Sequence, residues 1–129
     1  PDMRHAIGYA LHWPDRRHLP VERLDLAKIG SLTFEAPDED RYPALALARQ
    51  VMDTGGLAGA VFNAAKERAL DAFIAGQIGF LQMAAVVSAT LDKMSSGGGL
   101  QIRDMSLDDV LEADRLARIY AGEITTQIG

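Results

Sequence analysis

The side chains able to do chemistry are few and scattered along this 129-residue chain. Its three histidines, His5, His12 and His18, fall within the first eighteen residues, with no convergent carboxylate set at metal-ligand spacing. Asp38-Glu39-Asp40 could hold a cation, yet a solvated turn ahead of a helix uses the same residues. Asp108-Asp109 stands where a helix start already favours acids. No serine or threonine is matched to a histidine base, so no nucleophile–base pair emerges. Gly56-Leu57-Ala58-Gly59 and Gly97-Gly98-Gly99 miss the Gly-x-Gly-x-x-Gly spacing of a dinucleotide loop, and neither follows a strand. Arg16-Arg17-His18 could meet a phosphate, although an exposed linker explains it as well. Asn63 and Glu67, four apart, can hydrogen-bond along a helix. These residues assign no catalytic residue and no metal ligand, and they point to a supporting module.

The elements that must position these residues hang on one seam, Ser31 to Pro43, reading SLTFEAPDEDRYP. Ser31-Leu32-Thr33-Phe34 alternates polar and apolar and predicts a short strand with one buried face. Pro37 ends it, Asp38 or Asp40 can cap a helix, and Pro43 is tolerated in that helix's first turn. Ahead of the seam, Asp2 to Trp13 reads as a short amphipathic helix capped by Asp2 and stopped by Pro14. The stretch from Pro14 to Pro37 is long for a loop and reads as a linker. Its lone strand has no partner in the chain, so its edge must pair with another domain or a second copy.

Behind the seam the spacing predicts four helices. The first covers about 41–53, with Leu45, Leu47, Ala48, Val51 and Met52 as its apolar stripe and Gly55-Gly56 as its stop. The second covers 57–75, with a face of small residues (Val61, Ala64, Ala65, Ala69, Ala72) that lets a neighbour approach closely, flanked by Phe73. The third covers 80–94, with Phe80, Met83, Ala84, Val87, Leu91 and Met94 at helical spacing. The fourth covers 107–124, opened by a capping-box-like Ser106 and Asp109, with Leu107, Val110, Leu111, Ala117, Tyr120 and Ala121 facing inward. The expected fold is mainly α: a C-terminal four-helix bundle preceded by a short helix and an extended linker with one strand. The predicted boundaries are 1–13 for a first module's tail, 14–38 for the linker and 39–129 for the bundle.

Composition agrees with helices. Hydrophobic residues make up 48% but aromatics only 6%, which suits closely packed helices more than a β-sandwich. The net charge of −5 without a basic run argues against nucleic acid or an anionic membrane surface as partner. With no cysteine there are no disulfides or thiolate metal sites. No apolar run is long enough to span a bilayer, and the start lacks a signal-peptide layout, so the expected location is cytoplasmic. Pro1-Asp2-Met3 is an implausible natural start, and the chain is expected to be a piece of a longer protein.

At the seam, LTFEAPDEDRYPALALA resembles the linker and first bundle helix of the 1-deoxy-D-xylulose 5-phosphate reductoisomerases. The likeness extends upstream through Pro1-Asp2-Met3-Arg4, Ile7 and His12-Trp13-Pro14. Downstream it runs through Phe62-Asn63-Ala64-Ala65, Ala72-Phe73 and Ile78-Gly79-Phe80, and it thins after Met94. The resemblance implies the C-terminal third of an NADPH-dependent oxidoreductase and isomerase that uses Mg2+ or Mn2+. That enzyme makes 2-C-methyl-D-erythritol 4-phosphate in non-mevalonate isoprenoid biosynthesis. It implies upstream Rossmann and catalytic domains as partners, a homodimer completed through the linker strand, and metal and phosphate ligands that lie ahead of Pro1. Only Pro1 and Met3 carry over as cofactor-binding residues, in an apolar wall beside the nicotinamide. Where the family reads Asn-Ala-Ala-Asn-Glu, this chain has Asn63-Ala64-Ala65-Lys66-Glu67, and Lys66 is expected to pair with a surface acid. On this reading the chain alone is structural and inactive. The alternative is a free-standing helical protein-interaction module.

Overall fold

Proline and glycine punctuate the chain into helices. The computed structural model describes residues 2–96, 99–102 and 104–129. These hold α1 (Arg4–His12), α2 (Leu26–Ile29), α3 (Ala44–Thr54), α4 (Ala58–Ile74), α5 (Phe80–Ser95) and α6 (Leu107–Ile128). The chain divides between Ala36 and Pro37 into two units. No helix among the described residues is long and apolar enough to cross a membrane.

The first unit is thin. Asp2 accepts the Arg4 backbone N–H at 2.9 Å, but the residue at the boundary of α1 is Met3, so the cap sits one residue outside its expected place. His12 closes the helix, its Nδ1 lying 2.7 Å from the Gly8 carbonyl, and Trp13 stacks edge-on against Tyr9. Gly8 is the only buried residue of α1. It lies under Leu19, whose Cδ2 would stand 2.5 Å from any Cβ added there. The short turn α2 was not expected; Asp25 caps it by accepting the Lys28 N–H at 3.1 Å.

The predicted strand at 31–34 is not formed. Leu32 is exposed, and Phe34 is 87% exposed. A strand exists only where a neighbour supplies the other half of a ladder. Among the described residues no such neighbour is present, so the alternating pattern leaves an extended, unpaired segment.

The second unit is built on alanine. Ala58, Ala64, Ala65, Ala69 and Ala72 of α4 are buried, as are Ala113, Ala117 and Ala121 of α6. Side chains this small let the two backbones approach closely, and the α4–α6 seam is the most extensive helix contact of the unit. Val61, Val86, Val87, Leu91 and Ile124 fill the space that α5 closes. The buried Thr90 and Thr125 hydroxyls donate to the Val86 and Ala121 carbonyls, both at 2.7 Å. These bonds remove the desolvation cost that an unpaired buried hydroxyl would carry. The expected bundle is present, with one qualification: α3 lies against α4 and α5 and does not touch α6. None of its residues is fully buried.

Several inward assignments are corrected. Leu107 and Leu111 are exposed on α6, and the buried positions there are Ala113, Ala117, Ala121, Ile124 and Thr125. Phe80 is exposed, meeting Phe73 edge-on with ring centres 6.2 Å apart. Leu45 is exposed and Met52 is 78% exposed, leaving Leu47 and Val51 to touch the core. On α6 the helix turns the smaller Ala113, Ala117 and Ala121 inward and leaves the leucines outside. Helix α6 also runs past the expected end at 124, to Ile128.

Loops are pinned at few points. Leu57 N–H donates to the Leu100 carbonyl at 2.8 Å, and the buried Leu100 side chain plugs the end of the bundle. Gly56, at φ +55°, lies so close beneath the Leu100 carbonyl that a Cβ would collide with backbone. Gln82 joins two helix ends: its Oε1 accepts the Gly79 N–H at 2.5 Å and its Nε2 donates to the Ile128 carbonyl at 3.1 Å. The Ser106–Asp109 capping box forms as expected.

Candidate functional site

The first unit exposes apolar side chains that a folded protein ordinarily covers. Met3, Ile7 and Leu11, at helical spacing along α1, are all exposed, Met3 at 72%. Trp13, Leu24, Leu26, Leu32 and Phe34 continue the exposed series through the linker. The polar lining is mixed. A cleft of about 500 Å³ between α1 and α2 is walled by Arg4, His5, Glu22, Arg23, Asp25 and Lys28 among others.

A charged fork brackets Met3. The Asp2 carboxylate receives Arg4 Nε at 2.9 Å and Nη2 at 2.5 Å, besides the Arg4 backbone N–H. Arg4 Nη1 also reaches the Pro20 carbonyl at 3.5 Å. The hydrogen bonds from Arg4 hold the Asp2 carboxyl at about 2, and the carboxylate raises the Arg4 guanidinium in turn. The fork was not foreseen, although an acid two residues ahead of an arginine at a helix start was there to be seen.

In the second unit an ion-pair cluster bridges two helices. Arg118 of α6 donates to Asp114 on its own helix through Nε at 2.7 Å, and to Glu67 of α4 through Nη2 at 2.8 Å. Asn63 Nδ2 donates to Glu67 at 3.1 Å, so the expected Asn63–Glu67 bond is present. Hydrogen bonds from Arg118, then from Asn63, hold the Glu67 carboxyl below its ordinary value. The bond from Arg118 does the same for Asp114. Among the described residues Lys66 does not pair with an acid; its Nζ donates to Asn63 Oδ1 at 3.2 Å. The 114/118 spacing was readable from sequence, whereas the cross-helix partner Glu67 depends on how α4 and α6 pack. This cluster fastens two helices and holds no reacting group.

Three comparisons bear on these surfaces. A family profile described as DXP reductoisomerase C-terminal domain matches residues 1–120. This chain belongs to that family. The reductoisomerase of Ruegeria pomeroyi is 68% identical over 118 residues, covering 92% of this chain and 30% of the relative. That of Jannaschia sp. is 62% identical over 121 residues, covering 94% and 31%. Among solved structures, the Zymomonas mobilis reductoisomerase in complex with NADPH matches with a TM-score of 0.76 at 44% identity, over 97% of this chain and 32% of that one. A reductoisomerase solved with NADPH, fosmidomycin and magnesium matches at 0.73 and 35% identity, over 98% and 32%. The chain thus spans about a third of the length of the reductoisomerases it matches.

Met3, one of the two expected wall residues, is exposed at the boundary of α1. Pro1, the other expected wall residue, lies outside the described residues. Among the described residues no three His, Asp or Glu side chains converge as a metal site.

Proposed function

We propose that this chain is the helical C-terminal portion of a 1-deoxy-D-xylulose 5-phosphate reductoisomerase. The whole enzyme rearranges and reduces that sugar phosphate to 2-C-methyl-D-erythritol 4-phosphate in non-mevalonate isoprenoid synthesis. NADPH supplies the hydride, and Mg2+ or Mn2+ is held by residues ahead of Pro1. The observation that carries the reading is the 68% identity over 118 residues to the Ruegeria pomeroyi enzyme. Within the enzyme, residues 1–13 close the catalytic domain, 14–38 form the linker and 39–129 the helical domain. Pro1 and Met3 contribute an apolar wall at the nicotinamide, where excluding water protects the hydride path.

The remaining assignments follow from the same exposed surface. Leu24, Leu26, Leu32 and Phe34 are the side chains that upstream domains or a second subunit would cover, and a homodimer is the arrangement we favour. An enzyme that consumes NADPH works where that reductant is regenerated, and we place this one in the cytoplasm.

The direct test replaces the matching segment of the Ruegeria pomeroyi enzyme with this chain. NADPH oxidation dependent on the pentulose phosphate and Mg2+ is expected from the chimera and not from the isolated chain. A folded chimera without turnover would overturn the reading, and turnover by the isolated chain would overturn the placement of the active site ahead of Pro1.

A further inference from the structure

Met3 has little packing to hold it. It stands at the boundary of α1, 72% exposed, on a helix whose only buried residue is Gly8. The fork around it is unusual for a helix, because side chains two apart on a helix point to different faces. Asp2 and Arg4 meet only because Asp2 stands outside α1 and turns back. Its carboxylate takes both the backbone N–H and the guanidinium of Arg4. The result is a closed ring with Met3 at its apex, in the right-handed helical conformation (φ −59°, ψ −22°). The Arg4 bond to the Pro20 carbonyl ties that ring to the following loop. Paired with each other, the two charges cancel beside an apolar side chain.

We propose that the Asp2–Arg4 fork is a positioning device that fixes Met3 for its contact with the nicotinamide ring. The proposal rests on the reductoisomerase reading and deepens it. Asp2 and Arg4 act through Met3; neither touches the cofactor.

A double-mutant cycle tests this in the full-length enzyme that carries this chain. NADPH affinity is read by the fluorescence of the reduced nicotinamide, alongside KM for NADPH, kcat and the melting temperature. Met3→Ala is expected to weaken NADPH about tenfold, the scale of one apolar side-chain contact. Arg4→Ala leaves Asp2 free to accept the backbone N–H, and it is expected to weaken NADPH about threefold to fivefold, through KM more than kcat. On top of Met3→Ala, the same Arg4→Ala change is expected to do nothing further. Asp2→Asn, which retains a capping oxygen, is expected to behave as Arg4→Ala does and serves if Arg4→Ala fails to fold. A loss from Arg4→Ala that is equal with and without Met3 overturns the proposal, because Arg4 then acts on its own. No loss from either fork variant also overturns it. No loss from Met3→Ala overturns instead the nicotinamide wall itself, and the fork's role with it.

Discussion

The two units of this chain differ in whether their apolar residues build a core, since every buried apolar side chain of the described residues lies in the second. In the second, alanines and valines bury one another, while ion pairs share the exposed faces with larger side chains such as Met52, Ile74 and Leu107. In the first, Met3, Leu11, Trp13, Leu26 and Phe34 stand in solvent, and one glycine is the only buried residue of its longest helix. Since each fully buried valine, leucine or isoleucine contributes about 1.5–3 kcal/mol, and each alanine a smaller amount, stability must be concentrated in the bundle. The first unit gains its share only when something outside these residues covers it. A surface of that kind is what an interdomain or intersubunit contact requires.

That contrast can be broken most sharply by overpacking. Ala117→Leu puts three extra carbons into the closed α4–α6 seam and should cost about 3 kcal/mol, read by urea unfolding. The matching change in the first unit, Ala10→Leu at an exposed position of α1, should cost less than about 0.5 kcal/mol. Equal costs would mean that α1 is as tightly packed as α6. Gly56→Ala comes next, at about 2 kcal/mol, because it combines a positive φ with a collision against the Leu100 carbonyl.

The smallest expected effect concerns pH. Glu67, Asp109, Glu112 and Asp114 are all held below their ordinary values, by hydrogen bonds from Arg118, Ser106, Arg115 and Arg118 respectively. A carboxyl that binds protons more weakly when folded adds stability above its unfolded value and loses it as pH falls through the folded one. The melting temperature should therefore be flat from neutral pH to about 5 and decline below about 4.5. Arg118→Ala should shallow that decline by releasing Glu67 and Asp114. An unchanged slope would show that the exposed cluster contributes little.

The bundle was legible in the sequence because its signals are local. Gly55-Gly56, Gly76, Ser106 and the three- and four-residue spacing each mark a helix end or a face without reference to anything distant. Which residues face inward was less legible. Leu107 and Leu111 are apolar and correctly spaced, yet the packing of α4 on α6 selects alanines, and the larger side chains fall outside. The linker strand failed for a related reason: Leu32-Thr33-Phe34 has a strand's alternation, but its ladder partner would have to come from elsewhere. Met3 could be singled out only through resemblance, since one exposed methionine carries no chemical signature. The fork that brackets it becomes visible only when Asp2 and Arg4 are placed in space.

Hydrogen exchange tests the central claim most directly: the bundle stands alone while the N-terminal unit is ordered by what it packs against. In the isolated chain, amides of α4, α5 and α6 should exchange slowly, near the global unfolding limit, while those of α1 exchange close to the rate of an unstructured peptide. In the chimera with the upstream Ruegeria pomeroyi domains, α1 should become protected. Protection of α1 equal to that of α4 in the isolated chain, or no gain in the chimera, would contradict the account.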